Sequence, residues 1–143
     1  MWVLYPWGTI QSHLGRLAVL QAIVKEAKES YYDLEERTFS FARQVATFCR
    51  TLPSNVSNTE YTKQLIRSSG SVGSNYIEAN EALGKKDFAL RVRISRKEAK
   101  ESAYWLRLIA ETNGNGRKGE ASRLHSEAIE LKRIFSSILN KLK

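Results

Sequence analysis

The stretch FALRVRISRKEAKESAYWLRLI, residues 88–109, decides the fold of this 143-residue chain. Apolar and small residues recur in it at alternating intervals of four and three, namely at Phe88, Val92, Ser95, Ala99, Ser102, Leu106 and Ile109. This spacing places them along one face of a helix. A seam that holds this alternation over its whole length is typical of a helix packed lengthwise against other helices.

Three further stretches show comparable spacing, and each predicts another helix. The first stretch begins at Asp33, which is a good N-cap, and ends before Pro53; its seam is Leu34, Phe41, Val45, Phe48 and Leu52. The second is capped by Asn58 or Thr59 and stopped by Gly84; its seam is Tyr61, Leu65, Ser68 or Ser69, Val72, Tyr76, Ala79 and Leu83. Asp87 is the expected cap of the third helix. The fourth helix follows the loop Asn113–Gly116 and carries Ala121, Leu124, Ala128, Leu131, Phe135, Ile138 and Leu142.

Four helices of about 20 to 25 residues with short connections predict an all-α fold, an antiparallel up-down four-helix bundle over residues 33–143. Residues 1–32 are an N-terminal helical extension, with the breakers Pro6 and Gly8 followed by an amphipathic helix from about residue 13 to 29. Two roles are open for this extension. It covers an exposed groove of the bundle, or it is a poorly ordered addition.

Composition narrows the class of protein. The chain has 42% hydrophobic and 27% charged residues, 2 prolines and 8 glycines, which suits a globular domain with long helices. A lone cysteine, Cys49, forms no internal disulfide and indicates a reducing compartment. The best apolar run, Leu17–Val24, is too short to span a bilayer, and no Lys or Arg precedes Arg16 as a secretory signal would require. We therefore expect a cytoplasmic protein with no membrane partner.

The sequence carries no enzyme signature that we recognise. Cys49 lies on the seam of the first helix and is interpreted as a small buried hydrophobe. His13 and His125 are the only histidines, and neither has a second metal-type ligand at helical spacing. No phosphate loop, catalytic triad or zinc spacing occurs. We expect no catalytic residue, no cofactor and no metal.

The segment Ser68–Asn75 is rich in small residues although it lies within a predicted helix. Its two glycines, Gly70 and Gly73, cost about 2 kcal/mol of helix propensity relative to alanine. Either a neighbouring helix approaches closely at this surface, or the backbone amides form a nest for phosphate. Close packing is favoured, because the apolar spacing continues through the segment from Leu65 to Tyr76.

Apolar residues also lie off the seams and widen the apolar surface. They are Ile66 and Ile77 on the second helix, Ile94, Trp105 and Leu108 on the third, and Ile129 and Ile134 on the fourth. A helix that is apolar on two faces in a small bundle has a second partner, either another subunit or the N-terminal segment. Self-association is the favoured interpretation.

Basic residues concentrate on the third helix. Between Lys85 and Ile109 there are eight Lys and Arg against three acids, a large share of the chain's net charge of +8. Five of the cations lie at helical spacing on one side, and we call this set the basic stripe: Arg93, Arg96, Lys97, Lys100 and Arg107. Lys85, Lys86 and Arg91 are weaker candidates. On charge alone, two interpretations are equally supported, contact with nucleic-acid phosphates or a solvated face paired with Glu98 and Glu101.

Three segments resemble one bacterial family, the 23S rRNA intervening sequence proteins. They are YDLEERTF at 32–39 followed by Phe41-Ala42, RSSGSVGSNYIEA at 67–79, and KDF at 86–88 with ISRKEAKESAYWLRLI at 94–109. The resemblance implies a four-helix bundle. Through a fold similar to the accessory variability protein of diversity-generating retroelements, it also implies, by analogy, a ring of five subunits and contact with nucleic acid and a reverse transcriptase.

These observations together predict a non-enzymatic homo-oligomeric bundle that binds RNA or DNA backbone with low sequence specificity through its basic third helix. The alternative is a protein–protein scaffold that binds no nucleic acid. In that alternative, Arg96 and Arg107 pair with Glu78, Glu98 or Glu101 between subunits.

Overall fold

The computed structural model describes the backbone of residues 5–143 and the side chains of residues 14–28 and 33–143. It contains four helices: α1 Tyr5–Arg50, α2 Val56–Asn80, α3 Lys85–Thr112 and α4 Asn115–Lys141. No strand occurs in residues 5–143. The predicted all-α class is confirmed.

The chain divides into two compact units, Met1–Leu34 and Glu35–Lys143. In the first unit every described side chain from Leu14 to Lys28 is exposed, including six large apolar ones: Leu14, Leu17, Val19, Leu20, Ile23 and Val24. Over the described residues, no helix combines the length and apolar character that crossing a bilayer requires.

The second unit is the predicted antiparallel bundle. Along α1 and α2, Glu35 accepts a hydrogen bond from Asn80 at 2.8 Å, and Thr38 lies against Gly73, so residue numbers rise on one helix as they fall on the other. Along α1 and α4, the guanidinium of Arg37 forms two hydrogen bonds to Glu127, at 2.7 and 2.9 Å.

Helix α3 completes the arrangement by packing against both α2 and α4. Ser95 donates to the carbonyl of Val72 at 2.9 Å, and the hydroxyls of Ser68 and Ser102 lie 2.9 Å apart in the buried seam. Helix α1 forms hydrogen bonds with α2 and α4, and α3 packs against the same two helices. The side of α3 that faces away from α2 and α4 is therefore exposed and can carry charge.

The predicted seams form the core. The seam positions of α3 from Val92 to Ile109 are all buried, and so are Phe41, Val45 and Phe48 on α1. Both Ser68 and Ser69 are buried at the position where the sequence left two choices. On α4 the predicted residues Ala121, Leu124, Ala128, Leu131 and Phe135 are buried, and so is Leu139, next to the predicted Ile138. Five other predicted seam residues, Leu52, Tyr61, Phe88, Ile138 and Leu142, are half-buried, and Leu83 is fully exposed beyond the end of α2.

Several predicted helix starts are wrong. Asp33 does not cap a helix, because the predicted N-terminal helix and the first bundle helix are one element, α1. Pro6 is no breaker there, since a proline in the first turn loses no helical hydrogen bond. The cap of α2 is Asn55, whose side chain accepts from the amide of Asn58 at 2.8 Å. The cap of α3 is Gly84, and Asp87 lies in the first turn.

Close helix packing at the small-residue segment is confirmed at one of its two glycines. A Cβ added to Gly73 would lie 2.9 Å from Thr38 Oγ1 and 3.2 Å from Thr38 Cβ, so α1 and α2 touch there. A Cβ added to Gly70 would meet nothing within 4 Å, and Gly70 is exposed. Within this chain only Gly73 therefore serves the close approach of the two helices.

Candidate nucleic-acid interface

The basic stripe lies on the outer side of α3. Arg93, Lys97, Lys100 and Arg107 are exposed, and Arg96 is half-buried at the edge of the set. At 3.6 residues per turn the five positions share an arc of about 100°. That arc faces away from the buried seam, so the five predicted cations lie together on one accessible face.

Two acids of α3, Glu98 and Glu101, are paired with one cation from a different helix. Glu98 is buried, and its Oε2 lies 3.3 Å from Arg67 Nη1 of α2. The other guanidinium nitrogen of Arg67, Nη2, bonds to Glu101 Oε1. The hydrogen bond to Glu101 and the charges of both acids raise the pKa of Arg67. The alternative in which the stripe pairs with Glu98 and Glu101 is therefore wrong within this chain, because Arg67 already holds both.

The stripe itself has no acid partner. None of its five cations forms an ion pair with any side chain that the structure describes. By contrast, Lys63, Lys118 and Arg133, on other helices, each lie within 4.0 Å of a glutamate oxygen. The positive charge of the outer face of α3 is thus uncompensated within the described chain.

The weaker candidates divide into two groups. Arg91 is half-buried, and its Nη1 donates to Asn75 Oδ1 at 3.4 Å, which directs it toward α2. Lys85 and Lys86 are exposed and line a groove of about 700 Å³ together with Arg93 and Arg96. The other wall of this groove comes from α4 and the C-terminus: Leu139, Asn140, Leu142 and Lys143.

Lys143 is a cation of this groove that the sequence analysis missed. The antiparallel order of α3 and α4 was the available signal, since it brings the C-terminal end of α4 beside the start of α3. No acidic residue lines the groove. The basic surface therefore extends from the stripe to the end of the bundle.

The remaining candidates for chemistry form no site among the side chains that the structure describes. Burial raises the pKa of the Cys49 thiol to about 11, so the thiol is protonated at neutral pH. The side chain of His13 lies outside the described residues, and His125 is half-buried. Among the described side chains, no three His, Cys, Asp or Glu residues are close enough to hold a metal ion.

Comparison with known proteins identifies a family and a solved structure that are similar to this chain. The model of the 23S rRNA-intervening sequence protein family matches residues 30–137. A crystal structure from Bacteroides thetaiotaomicron, described as a protein with unknown function from the S23 ribosomal protein family, is 26% identical to this chain. The superposition has a TM-score of 0.65 and covers 74% of this chain and 97% of that one. No curated protein matches the chain.

Proposed function

The chain belongs to the family of 23S rRNA-intervening sequence proteins, and from that premise we propose that it is a non-catalytic bundle that binds the backbone of RNA or DNA through the basic stripe. One observation carries the proposal. Arg67 of α2 holds Glu98 and Glu101 of α3, while the five cations of the stripe pair with no described acid. The face of α3 is therefore an available anion-binding surface.

The dimensions of the stripe suit a phosphate backbone. From Arg93 to Arg107 the helix rises about 21 Å, at about 1.5 Å per residue. One strand of a duplex presents about six phosphates over that length, at about 3.4 Å each. Each phosphate that a lysine or arginine neutralises releases condensed counterions, and this release drives binding at low salt.

Low sequence specificity follows from the kind of side chains present. The two lysines of the stripe act as point charges on flexible stems and contact phosphates whatever the base, and no base-reading motif accompanies its three arginines. A bundle helix flanked by α2 and α4 presents these cations along a broad surface. We therefore propose that binding depends on charge and strand geometry and not on the order of bases.

Self-association is the second part of the proposal. Of the off-seam apolar residues named from the sequence, Ile66 and Ile77 on α2 are about half exposed, at 49% and 50%, and the others are half-buried. Between the two isoleucines lie Gly70 and Ser74, both exposed. Two apolar side chains on either side of a surface of small residues suit the close approach of a helix from a second copy. A ring of five subunits is the assembly that the family resemblance implies.

The binding experiment uses the full-length chain and a fluorescently labelled 20-nucleotide RNA. Anisotropy titrations from 25 to 200 mM salt should show affinity that falls steeply, with a log–log slope of about −3.5 for five phosphates on a single strand. The triple variant Lys97→Gln/Lys100→Gln/Arg107→Gln should lose about 2 units of that slope.

The matched control removes the same charge elsewhere. Lys63→Gln/Lys118→Gln/Arg133→Gln alters three cations that already have acidic partners, so the slope should change little. Light scattering on each variant reports the mass of the assembly. An intact oligomer that binds no RNA at 25 mM salt would overturn the proposal and leave a protein–protein scaffold. A monomer at micromolar concentration would overturn self-association.

A further inference from the structure

An exposed aromatic residue lies within the line of cations on α3. Tyr104 is 57% exposed and lies between Lys100 and Arg107. The intervals from Arg93 through Lys97, Lys100 and Tyr104 to Arg107 are four, three, four and three. At this spacing all five side chains share one face of the helix, so a ligand that lies along the stripe passes over Tyr104.

The ring of Tyr104 is held by its neighbours although it is exposed. Its centroid lies 5.0 Å from that of Trp105, with 74° between the ring planes, which is an edge-on contact. Trp105 is half-buried and donates from Nε1 to Glu101 Oε1 at 3.3 Å. Its ring also lies 5.9 Å from that of Tyr61 on α2.

This support lowers the entropy that Tyr104 would lose on binding a ligand. Glu101, which accepts from Trp105, is itself bonded to Arg67, so the contacts continue from Tyr104 to a second helix. A side chain whose position is already restricted loses less freedom when a partner stacks on it. Tyr104 is thus an exposed, partly immobilised aromatic surface beside two unpaired cations.

We propose that Tyr104 stacks on an unpaired base of a single-stranded nucleic acid whose flanking phosphates contact Lys100 and Arg107. The proposal rests on the function proposed for the basic stripe and narrows its ligand to single strands. An aromatic ring can stack on any base, which agrees with low sequence specificity. In a duplex the bases are already stacked on one another, so the same ring contributes nothing.

The test compares two probes of equal length, a fluorescein-labelled 15-nucleotide oligouridylate and a labelled 15-base-pair RNA duplex. Tyr104→Ala should lower affinity for the single strand about 5- to 100-fold, the range that one lost base stack represents. Affinity for the duplex should stay within twofold, and the salt slope should not change, because no phosphate contact is removed. Tyr104→Phe keeps the ring and should bind the single strand like the unmodified chain.

Two control variants remove exposed apolar side chains of similar accessibility. Leu90→Ala lies on the same face of α3, and Phe39→Ala removes an aromatic ring from α1; these residues are 52% and 62% exposed. Neither should weaken single-strand binding more than twofold. Thermal unfolding and light scattering verify that each variant keeps its fold and mass.

The outcomes separate this inference from the function on which it rests. Stacking would be overturned if Tyr104→Ala lost affinity equally for both probes, lost no affinity, or changed its oligomeric mass. In each of these cases the basic stripe would still bind RNA. Failure of the unmodified chain to bind either probe at 25 mM salt would overturn both proposals together.

Discussion

The side-chain amides of Asn58 and Asn113 bond to each other reciprocally. Asn58 Nδ2 donates to Asn113 Oδ1 at 2.7 Å, and Asn113 Nδ2 donates to Asn58 Oδ1 at 2.8 Å. Asn58 also donates to the carbonyl of Pro53, and Asn113 to that of Ile109. The pair joins the first turn of α2 to the C-cap of α3, and so connects the two loops at one end of the bundle.

Removing either amide should destabilise the bundle. Asn58 is buried, so Asn113→Ala leaves its Oδ1 without a donor although its Nδ2 keeps the carbonyl of Pro53, at a cost of about 1–3 kcal/mol in the free energy of unfolding. Urea unfolding of both single variants and the double variant gives the coupling energy, which should be at least about 0.5 kcal/mol. Asn140→Ala, at an exposed position, is the control and should be neutral. Additive effects of the two substitutions would contradict a direct pair.

The two glycines of the small-residue segment should respond in opposite directions to alanine. Gly73→Ala places a Cβ 2.9 Å from Thr38 Oγ1, and we expect a loss of about 1–3 kcal/mol from overpacking. Gly70→Ala meets no neighbour within 4 Å in its own chain and should stabilise the exposed helix of the dissociated chain by about 0.5–1 kcal/mol. Both are measured by urea unfolding.

A second substitution tests the cause of the Gly73 effect. Thr38→Ala removes the atom nearest to the added Cβ, so it should recover part of the stability that Gly73→Ala loses. No recovery in the double variant would mean that the loss does not come from contact with Thr38.

The core could be predicted from the sequence because its signal is local. The alternating spacing on α3 identified buried positions from Val92 to Ile109 without any knowledge of the neighbouring helices. Helix ends were predicted less well, because several residues could cap equally. Asn58 has the chemistry of a cap, but its side chain pairs with Asn113 while Asn55 caps α2. Asp33 lacks any helix-breaking neighbour and lies inside α1.

The positions of the cations in the candidate site could be predicted from the sequence, but the ion pairs of the neighbouring acids could not. Helical spacing alone placed Arg93, Lys97 and Lys100 on one face. The partner of Glu98 and Glu101 depends on the register between α2 and α3, which no local pattern specifies. Arg67 reaches both acids in the observed register. Counting charges along the helix does not include Tyr104, whose exposed ring lies between Lys100 and Arg107.

The half-buried thiol of Cys49 should make stability depend on pH in the alkaline range. Burial raises its pKa from 9.0 to about 11, so the folded chain keeps a proton that the unfolded chain releases. This contribution to stability is fully present below pH 9 and is lost as the pH rises toward about 11. Cys49→Ser should remove that part of the pH dependence of urea unfolding.

Alkylation gives an independent readout of the same group. At pH 8 the folded chain should react with iodoacetamide about 100-fold more slowly than the urea-unfolded chain, since only the thiolate reacts. Equal rates in the two states would show that the folded structure does not suppress ionisation of Cys49.

Arg67 should affect RNA binding although it lies on α2 and forms its ion pairs with Glu98 and Glu101, not with the basic stripe. Arg67→Met leaves Glu98 and Glu101 without their cation. Glu101 follows Lys97 by four residues, the spacing at which a carboxylate and an ammonium pair on a helix. The released carboxylate of Glu101 would then pair with a cation of the stripe and neutralise part of its positive charge. We expect affinity for single-stranded RNA to fall about fivefold.

Lys63→Met is the matched control for Arg67→Met, because it removes one cation from the same helix whose partner, Glu60, is not on α3. It should change RNA affinity less than twofold. Adding Glu101→Gln to Arg67→Met should restore most of the lost affinity, since the competing carboxylate is then gone. If the double variant binds as weakly as Arg67→Met, the arginine does not act by keeping the acids of α3 away from its cations.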